Sequence, residues 1–203
     1  MIFPLPISES SVENCKVYTS RYRMTSLVPQ HSRFLEVGVA AGDFSHAFAI
    51  NNNPISITLV DRFDNDDYMV LGEDNQHTPR FDKDTNLDFV KTRFSEYNVQ
   101  LFKGNSEDIL PSLQDKFFDF IYLDADSRIE AFTKDFSEAV RVCSDTGIIG
   151  INDYAMIDYV HNQPFGTVFV VNEFLLENPN WEIIGFCIEN TMFCDVYLRR
   201  KMV

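Results

Sequence analysis

The fold is decided by the stretch Phe34-Leu-Glu-Val-Gly-Val-Ala-Ala-Gly-Asp-Phe-Ser45. Its apolar start predicts a short buried strand, and Gly38 and Gly42 then bracket a tight turn that leads into a helix. A strand, a glycine turn and a helix in this order form a ligand cradle at the carboxyl end of a parallel strand. Glu36 is unusual in such a strand, because a buried carboxylate is costly unless it is paired or hydrogen-bonded. We therefore expect a polar partner for Glu36.

The spacing of the glycines indicates which ligand the turn suits. A dinucleotide-binding turn has the pattern Gly-x-Gly-x-x-Gly, whereas here Ala40 lies between Gly38 and Gly42 in place of a middle glycine. Asp43 at the start of the helix would repel a phosphate. A cationic or zwitterionic ligand fits better, and S-adenosylmethionine, with its sulfonium and amino groups, is of this kind. A strand-to-helix turn with a packing glycine and no ligand explains the same residues, so both interpretations stay open.

Composition narrows the class of protein. The chain has 203 residues, 45% of them hydrophobic, and a net charge of −14. A nucleic-acid partner and an anionic membrane surface are both disfavoured, because each would require clustered Lys and Arg. There is no apolar run of the ~20 residues that a membrane span needs, and no signal-peptide pattern opens the chain. The four cysteines lack the spacing of a metal site or a disulfide framework, which predicts reduced thiols in a cytoplasmic protein.

Periodicity and turn residues predict strands and helices in the alternating order of a parallel sheet. The predicted strands cover residues 33–37, 55–60, 99–102, 117–123, 148–151, 181–187 and 192–199. The predicted helices cover residues 10–27 (opened by the capping box Ser10-x-x-Glu13), 44–50, 85–97, a turn from 106, 129–142 and 166–176. We therefore predict an α/β fold, with a doubly wound, mostly parallel seven-stranded sheet that ends in a C-terminal antiparallel hairpin.

The chain is expected to form a single domain. Residues 1–30 are predicted to form an N-terminal arm and helix, and residues 31–203 the body that holds the sheet. Residues 62–84 form an acidic insertion, and a loop this long in a compact domain is usually functional or disordered. We interpret it either as a lid over the carboxyl ends of the strands or as a solvated acidic loop.

Polar residues follow the next two predicted strands. Asp61 ends the second strand, where an acid would hydrogen-bond the hydroxyl groups of a ribose, although it would also cap the following loop. Ser106 and Glu107 follow the third strand, where they could meet the edge of an adenine or simply open a helix.

These motifs together resemble the class I S-adenosylmethionine-dependent methyltransferases, and most of all the branch of catechol-type and sugar or antibiotic O-methyltransferases. The resemblance covers about Phe34 to Arg200 and implies a Rossmann-like methyltransferase fold. It depends on the motifs Leu35-Glu-Val-Gly-x-x-x-Gly42, Leu59-Val-Asp61, Gly104-Asn-Ser-Glu-Asp-Ile-Leu110, Tyr122-Leu-Asp-Ala-Asp126, Gly150-Ile-Asn-Asp-Tyr154 and Gly166-Thr-Val-x-x-Val-Asn-Glu-Phe174.

The resemblance implies a role for each motif residue in binding S-adenosylmethionine. It assigns Glu36, Gly38 and Gly42 to the methionine part, Asp61 to the ribose, Ser106 and Glu107 to the adenine, and Asp124 to a place between cofactor and metal. The implied metal is Mg²⁺, held by Asp124 after the fourth strand and by Asn152 and Asp153 after the fifth. Magnesium takes oxygen ligands, and a hydroxyl group beside it loses its proton more easily.

The general base is the point at which this chain departs from the resemblance. Many relatives have Lys or His just after the Asp-Ala-Asp stretch, whereas this chain has Ser127. A serine hydroxyl is a poor base at neutral pH without its own activator. Asp124 and His161 are therefore the predicted catalytic residues, with Asp126 as a further candidate for the base.

The leading hypothesis is a magnesium-assisted O-methyltransferase that acts on a small hydroxylated molecule, such as a sugar or a natural product. The alternatives are metal-independent transfer to oxygen or nitrogen, and a catalytically silent subunit that only binds the cofactor. A nucleotide-dependent oxidoreductase is disfavoured by the missing middle glycine and by the terminal hairpin. The expected partner is a small-molecule acceptor, with a homodimer as the candidate assembly.

Overall fold

The computed structural model describes residues 3–64, 69–71, 77–79, 85–158, 162–188 and 194–202. The strands are β1 (Lys16–Tyr18), β2 (Arg33–Val37), β3 (Ser56–Asp61), β4 (Met69–Leu71), β5 (His77–Pro79), β6 (Val99–Lys103), β7 (Phe118–Leu123), β8 (Cys143–Ile151), β9 (Ile157–Asp158), β10 (Gln163–Pro164), β11 (Trp181–Cys187) and β12 (Asp195–Arg200). The α-helices are α1 (Arg21–Met24), α2 (Asp43–Asn52), α3 (Thr85–Arg93), α4 (Ser106–Ile109), α5 (Ile129–Val142) and α6 (Thr167–Glu177).

The main sheet has eight strands in the order β1-β11-β12-β8-β7-β2-β3-β6. Strands β8, β7, β2, β3 and β6 run parallel to one another, whereas β12 is antiparallel to both β8 and β11. The predicted α/β class, the mostly parallel sheet and the closing antiparallel hairpin are therefore confirmed. The sheet has one strand more than the predicted seven, because β1 pairs in parallel with β11.

Helices cover both faces of this sheet. Successive residues of a strand point to opposite faces, so Phe34 and Leu35 of β2 belong to different hydrophobic clusters. The cluster around Leu35 includes side chains from α5 and α6, and the cluster around Phe34 includes side chains from α2 and α3. None of the helices in the described ranges combines the length and the apolar composition that a membrane span needs.

The predicted helix over residues 10–27 is wrong. The structure has a short 3-10 helix at Glu9–Ser11, then β1, then α1 with Ser20 as its N-cap. Local capping signals favoured a continuous helix, but the pairing of β1 with β11 is a tertiary interaction that the local sequence does not reveal.

Three further predictions change in detail. Strand β8 begins at Cys143, directly after α5, so the predicted break before residue 148 is absent from this described segment. The i, i+3, i+4 spacing of apolar residues in the predicted helix 129–142 places Ile129 on the buried face, but Ile129 is 53% exposed. The acidic insertion contains β4 and β5, which pair antiparallel, whereas most of residues 62–84 lie outside the described residues.

Helix α1 approaches the sheet over a glycine of β11. Met24 of α1 is fully buried, and an ideal Cβ on Gly185 would lie 2.8 Å from the Met24 sulfur and 2.7 Å from Leu27 Cδ1. Glycine at this position therefore allows the N-terminal segment to pack directly on the sheet.

We expect Gly185→Ala to lower the free energy of unfolding by roughly 1–3 kcal/mol, because the added methyl group overpacks the contact with Met24 and Leu27. Urea denaturation followed by circular dichroism would measure the change. Ser26→Ala is the control, since Ser26 is exposed in the same segment. An unchanged midpoint for Gly185→Ala would contradict the close packing of α1.

Candidate active site

A cleft of about 1250 Å³ opens at the carboxyl edge of the parallel strands. It lies where β2, β3, β6 and β7 end, which is where open α/β sheets bind their ligands. The residues that line it include most of the predicted cofactor residues: Gly38, Asp61, Ser106, Glu107 and Asp124. Ile129 lines the same cleft, which accounts for its exposure.

The glycine turn brings β2 and β7 into close contact. Gly38 has a φ of +87°, and a Cβ on it would lie 2.1 Å from the carbonyl oxygen of Asp124. The Asp124 N–H donates to the Val37 carbonyl at 2.8 Å, and the Gly38 N–H donates to the Val60 carbonyl at 2.9 Å. Only glycine fits this position, and its presence brings the ends of three strands together.

Asp61 organises the turn from the end of β3. Its Oδ2 accepts the N–H groups of Val39 at 2.6 Å and Ala40 at 3.0 Å, and its Oδ1 accepts the Phe63 N–H at 2.6 Å. These bonds support Ala40 in a left-handed conformation with a φ of +49°. The carboxylate also borders the cleft, so the predicted ribose contact stays a prediction alongside this structural role.

Glu36 is buried at 1% exposure, and its Oε2 has no hydrogen-bond partner among the described residues. Burial raises the pKa of Glu36 well above its ordinary value, and the neighbouring Asp124 and Asp61 raise that pKa further. The polar partner expected for Oε2 is therefore not supplied by the described protein. A positively charged group of a ligand would satisfy this oxygen.

The two predicted adenine residues contact helix α5 across the cleft. Ser106 donates to Asp135 Oδ2 at 2.9 Å, and Lys134 donates to Glu107 Oε2 at 2.8 Å. The sequence analysis did not identify Asp135 or Lys134. Asp135 does give a signal, because it lies on the apolar face of α5 one residue before Phe136, where a carboxylate is out of place.

The three predicted metal ligands come together at the ends of β7 and β8. Asn152 donates from Nδ2 to Asp124 Oδ1 at 2.5 Å, and Asp153 follows with a φ of +56°. Burial raises the pKa of Asp124 well above its ordinary value, and it raises the pKa of Asp153 to about 6. The nearby guanidinium of Arg21 lowers both pKa values. Within the described ranges, no group of three or more His, Cys, Asp or Glu residues is arranged to hold a metal ion.

Arg21 was not identified from the sequence. Its Nη1 lies 3.6 Å from Asp124 Oδ2, so a cation from α1 reaches the edge of the cleft. No motif surrounds Arg21, and the predicted helix over residues 10–27 gave no reason to single it out.

The candidates for the general base differ in their surroundings. Asp126 forms an ion pair with Arg128, whose hydrogen bonds lower the pKa of that carboxyl group. The backbone carbonyl of Ser127 accepts the Gly166 N–H at 2.7 Å, which joins this loop to the start of α6. His161 lies outside the described residues. Asp126 is therefore a weak base. Asp124 and Asp135 both border the cleft, and burial raises the pKa of each.

Several solved structures with the same fold are named as methyltransferases. A candidate caffeoyl-CoA O-methyltransferase from Staphylococcus aureus is 20% identical with a TM-score of 0.58, and the match covers 88% of this chain and 78% of that one. The O-methyltransferase TomG from Streptomyces achromogenes, solved with S-adenosylmethionine, is 15% identical with a TM-score of 0.57, over 89% and 78% of the two chains. The methyltransferase PaMTH1 from Podospora anserina, solved with S-adenosylhomocysteine, is 16% identical with a TM-score of 0.53, over 84% and 72%. At these identities the likeness shows the fold.

The family is shown by the sequence itself. No curated protein matches the chain. The profile of the methyltransferase-domain family, however, matches residues 35–154, which is more than half of the chain and runs from the glycine turn to the residues after β8. This match favours a methyltransferase over the oxidoreductase alternative. The chain therefore belongs to the methyltransferase-domain family, and it is a class I S-adenosylmethionine-dependent methyltransferase.

Proposed function

We propose that this methyltransferase transfers the methyl group of S-adenosylmethionine to a hydroxyl oxygen of a small molecule, such as a sugar or a natural product. Two proteins with the same fold, from S. aureus and S. achromogenes, are named as O-methyltransferases. The oxygen acceptor is carried over from these names, while the cofactor site is argued from the residues of this chain.

The buried carboxylate of Glu36 is the observation that supports the placement of the cofactor. Its Oε2 lacks a partner among the described residues and has Asp61 and Asp124 as neighbours. A cationic group is the ligand that would relieve this concentration of negative charge, and S-adenosylmethionine carries an ammonium and a sulfonium. Its methionine part would lie against Glu36, Gly38 and Gly42.

The remaining cofactor contacts follow from the shape of the cleft. The ribose would lie beside Asp61, whose carboxylate borders the cleft, and the adenine beside Ser106 and Glu107. The bound cofactor supplies a methyl group on a positively charged sulfur: the carbon–sulfur bond breaks as the carbon–oxygen bond forms, and the electron pair stays on sulfur. The task of the protein is to align the acceptor and to remove its hydroxyl proton.

We assign to Asp124 the role of receiving that proton. It borders the cleft, and its carboxylate is held from two sides, by the Asn152 amide and by Arg21. Burial raises the pKa of Asp124, which brings it closer to the range in which a carboxylate works as a general base.

The predicted magnesium ligands do not fit a metal ion in the arrangement that the structure describes. Asn152 donates its amide N–H to Asp124 Oδ1, so that carboxylate oxygen already has a donor from the chain, and the Asn152 Oδ1 is buried without a partner among the described residues. The other carboxylate oxygen of Asp124 faces a guanidinium 3.6 Å away. We therefore assign no step of the reaction to magnesium, and we propose that the transfer is metal-independent.

We expect Glu36→Gln to change cofactor binding and stability in opposite directions. Loss of the carboxylate should weaken binding of S-adenosylmethionine by roughly 10- to 100-fold, because a charge-assisted contact is lost. Because the pKa of Glu36 is raised in the folded protein, the folded state loses stability as the pH rises through that folded-state pKa. Removing the charge by substitution should therefore stabilise the unliganded protein at neutral pH by about 1 kcal/mol. Titration calorimetry and thermal unfolding would measure the two effects.

Glu173→Gln is the matched control, because Glu173 is exposed on α6. It should change neither the affinity nor the unfolding temperature. Equal cofactor affinity for Glu36→Gln and the wild type would contradict the assignment of Glu36, and a wild-type protein that binds neither S-adenosylmethionine nor S-adenosylhomocysteine would refute the proposed site.

We expect the wild type to methylate an acceptor from a panel of phenols, catechols and monosaccharides, with the same rate before and after treatment with EDTA.

Asp124→Asn should lower kcat on the order of 100-fold, because the amide cannot accept the hydroxyl proton. Formation of S-adenosylhomocysteine is the readout, and Asp145→Asn at an exposed position is the control. Loss of turnover with EDTA that added Mg²⁺ restores would contradict metal independence. Cofactor binding without methylation of any acceptor would favour the silent-subunit alternative.

A further inference from the structure

The guanidinium of Arg21 lies among polar groups of β7, of the residue that follows β7, and of β12. Its Nη1 donates to the Tyr122 hydroxyl at 3.2 Å and lies 3.6 Å from Asp124 Oδ2, and its Nε lies 3.7 Å from Asp195 Oδ2. The Tyr122 hydroxyl in turn donates to Asp195 Oδ2 at 2.6 Å. One cation therefore connects the ends of β7 and β12, on either side of β8.

This position is built into the fold. Ser20 caps α1 by accepting the N–H of Tyr22, Met24 is fully buried, and Gly185 allows the helix to approach the sheet. The Arg21 side chain is only 21% exposed, which distinguishes it from a solvated surface arginine.

The same guanidinium faces the residues that the family resemblance assigns to a metal. Asp124 uses Oδ1 to accept the Asn152 amide, and Oδ2 is the oxygen that faces Arg21. One oxygen of the carboxylate therefore accepts a hydrogen bond from the chain, and the other lies at ion-pair distance from a cation of the chain. For a metal ion to bind Asp124, it would have to displace the Asn152 amide from Oδ1 or the Arg21 guanidinium from Oδ2.

We propose that Arg21 takes the place of a divalent cation in this active site, holding Asp124 in position at the edge of the cleft. This inference rests on the proposed function, and it explains which group of the chain supplies the positive charge there. An arginine suits the role because its guanidinium stays charged and presents several donors in a fixed plane. Arg21 is a positioning residue, since it acts through Asp124.

Mn²⁺ binding tests whether a divalent cation can take the place of the Arg21 guanidinium, and the measurement needs no methyl acceptor. Free Mn²⁺ is measured by electron paramagnetic resonance during titration of the intact protein. The wild type should bind Mn²⁺ no more tightly than Asp124→Asn does. Arg21→Ala should bind Mn²⁺ at least tenfold more tightly than the wild type, because the carboxylates beside Arg21 lose their counter-charge. The double variant Arg21→Ala/Asp124→Asn should return to the wild-type value.

Arg23→Ala is the matched control, because Arg23 is exposed on the same helix and its loss changes the net charge equally. It should leave Mn²⁺ binding unchanged, as should Arg21→Lys, which keeps the charge. Near-UV circular dichroism checks that each variant is folded, and Arg21→Gln replaces Arg21→Ala if the smaller side chain prevents folding.

A wild-type Mn²⁺ site that Asp124→Asn abolishes would overturn the proposal, and so would an Arg21 variant that gains no affinity over the wild type. Titration of the same proteins with S-adenosylhomocysteine separates this inference from the proposed function. If the wild type does not bind S-adenosylhomocysteine, the proposed function fails, whereas the Mn²⁺ comparison decides the role of Arg21 by itself.

Discussion

The structure depends on a balance of charge at the carboxyl edge of its sheet. Four acidic residues lie in or next to the strand ends that meet there: Glu36, Asp124, Asp153 and Asp195. The guanidinium of Arg21 opposes their negative charge. Carboxylates that are removed from water must be paired, hydrogen-bonded or neutralised. Because Arg21 belongs to a four-residue helix that packs on β11, the charge balance of the site is coupled to the docking of the N-terminal segment.

The two sides of this edge have different tasks. On the cleft side, the turn after β2 is held by the carboxylate of Asp61. Both oxygens of this carboxylate accept hydrogen bonds from backbone N–H groups. Next to it, Glu36 keeps one buried oxygen without a partner among the described residues. On the acceptor side, Asp124 is held between Asn152 and Arg21. Under the proposed function, cofactor binding and proton removal would fall to these two separate groups of residues.

Segments with a strong local pattern were predicted well. The strand Arg33–Val37, the helix Ile129–Val142 and the strand Trp181–Cys187 have the predicted bounds, because buried apolar residues repeat with a clear period and glycine or polar residues end each run. Strand β1 was missed, since its three residues become a strand only by pairing with β11, far along the chain. The same pairing is the reason why the capping signal at Ser10 did not lead to a long helix.

The sequence by itself determined the order of the elements and the acids that end the strands, because parallel strands place their carboxyl ends at a common edge. Asp61 and Asp124 were singled out in this way, and both border the cleft. Only the tertiary structure decided the partners of these acids: Arg21 for Asp124, and the backbone N–H groups of the turn for Asp61. No sequence pattern indicates which residue a charged side chain on a short helix will contact, because that contact forms only when distant segments of the chain pack together.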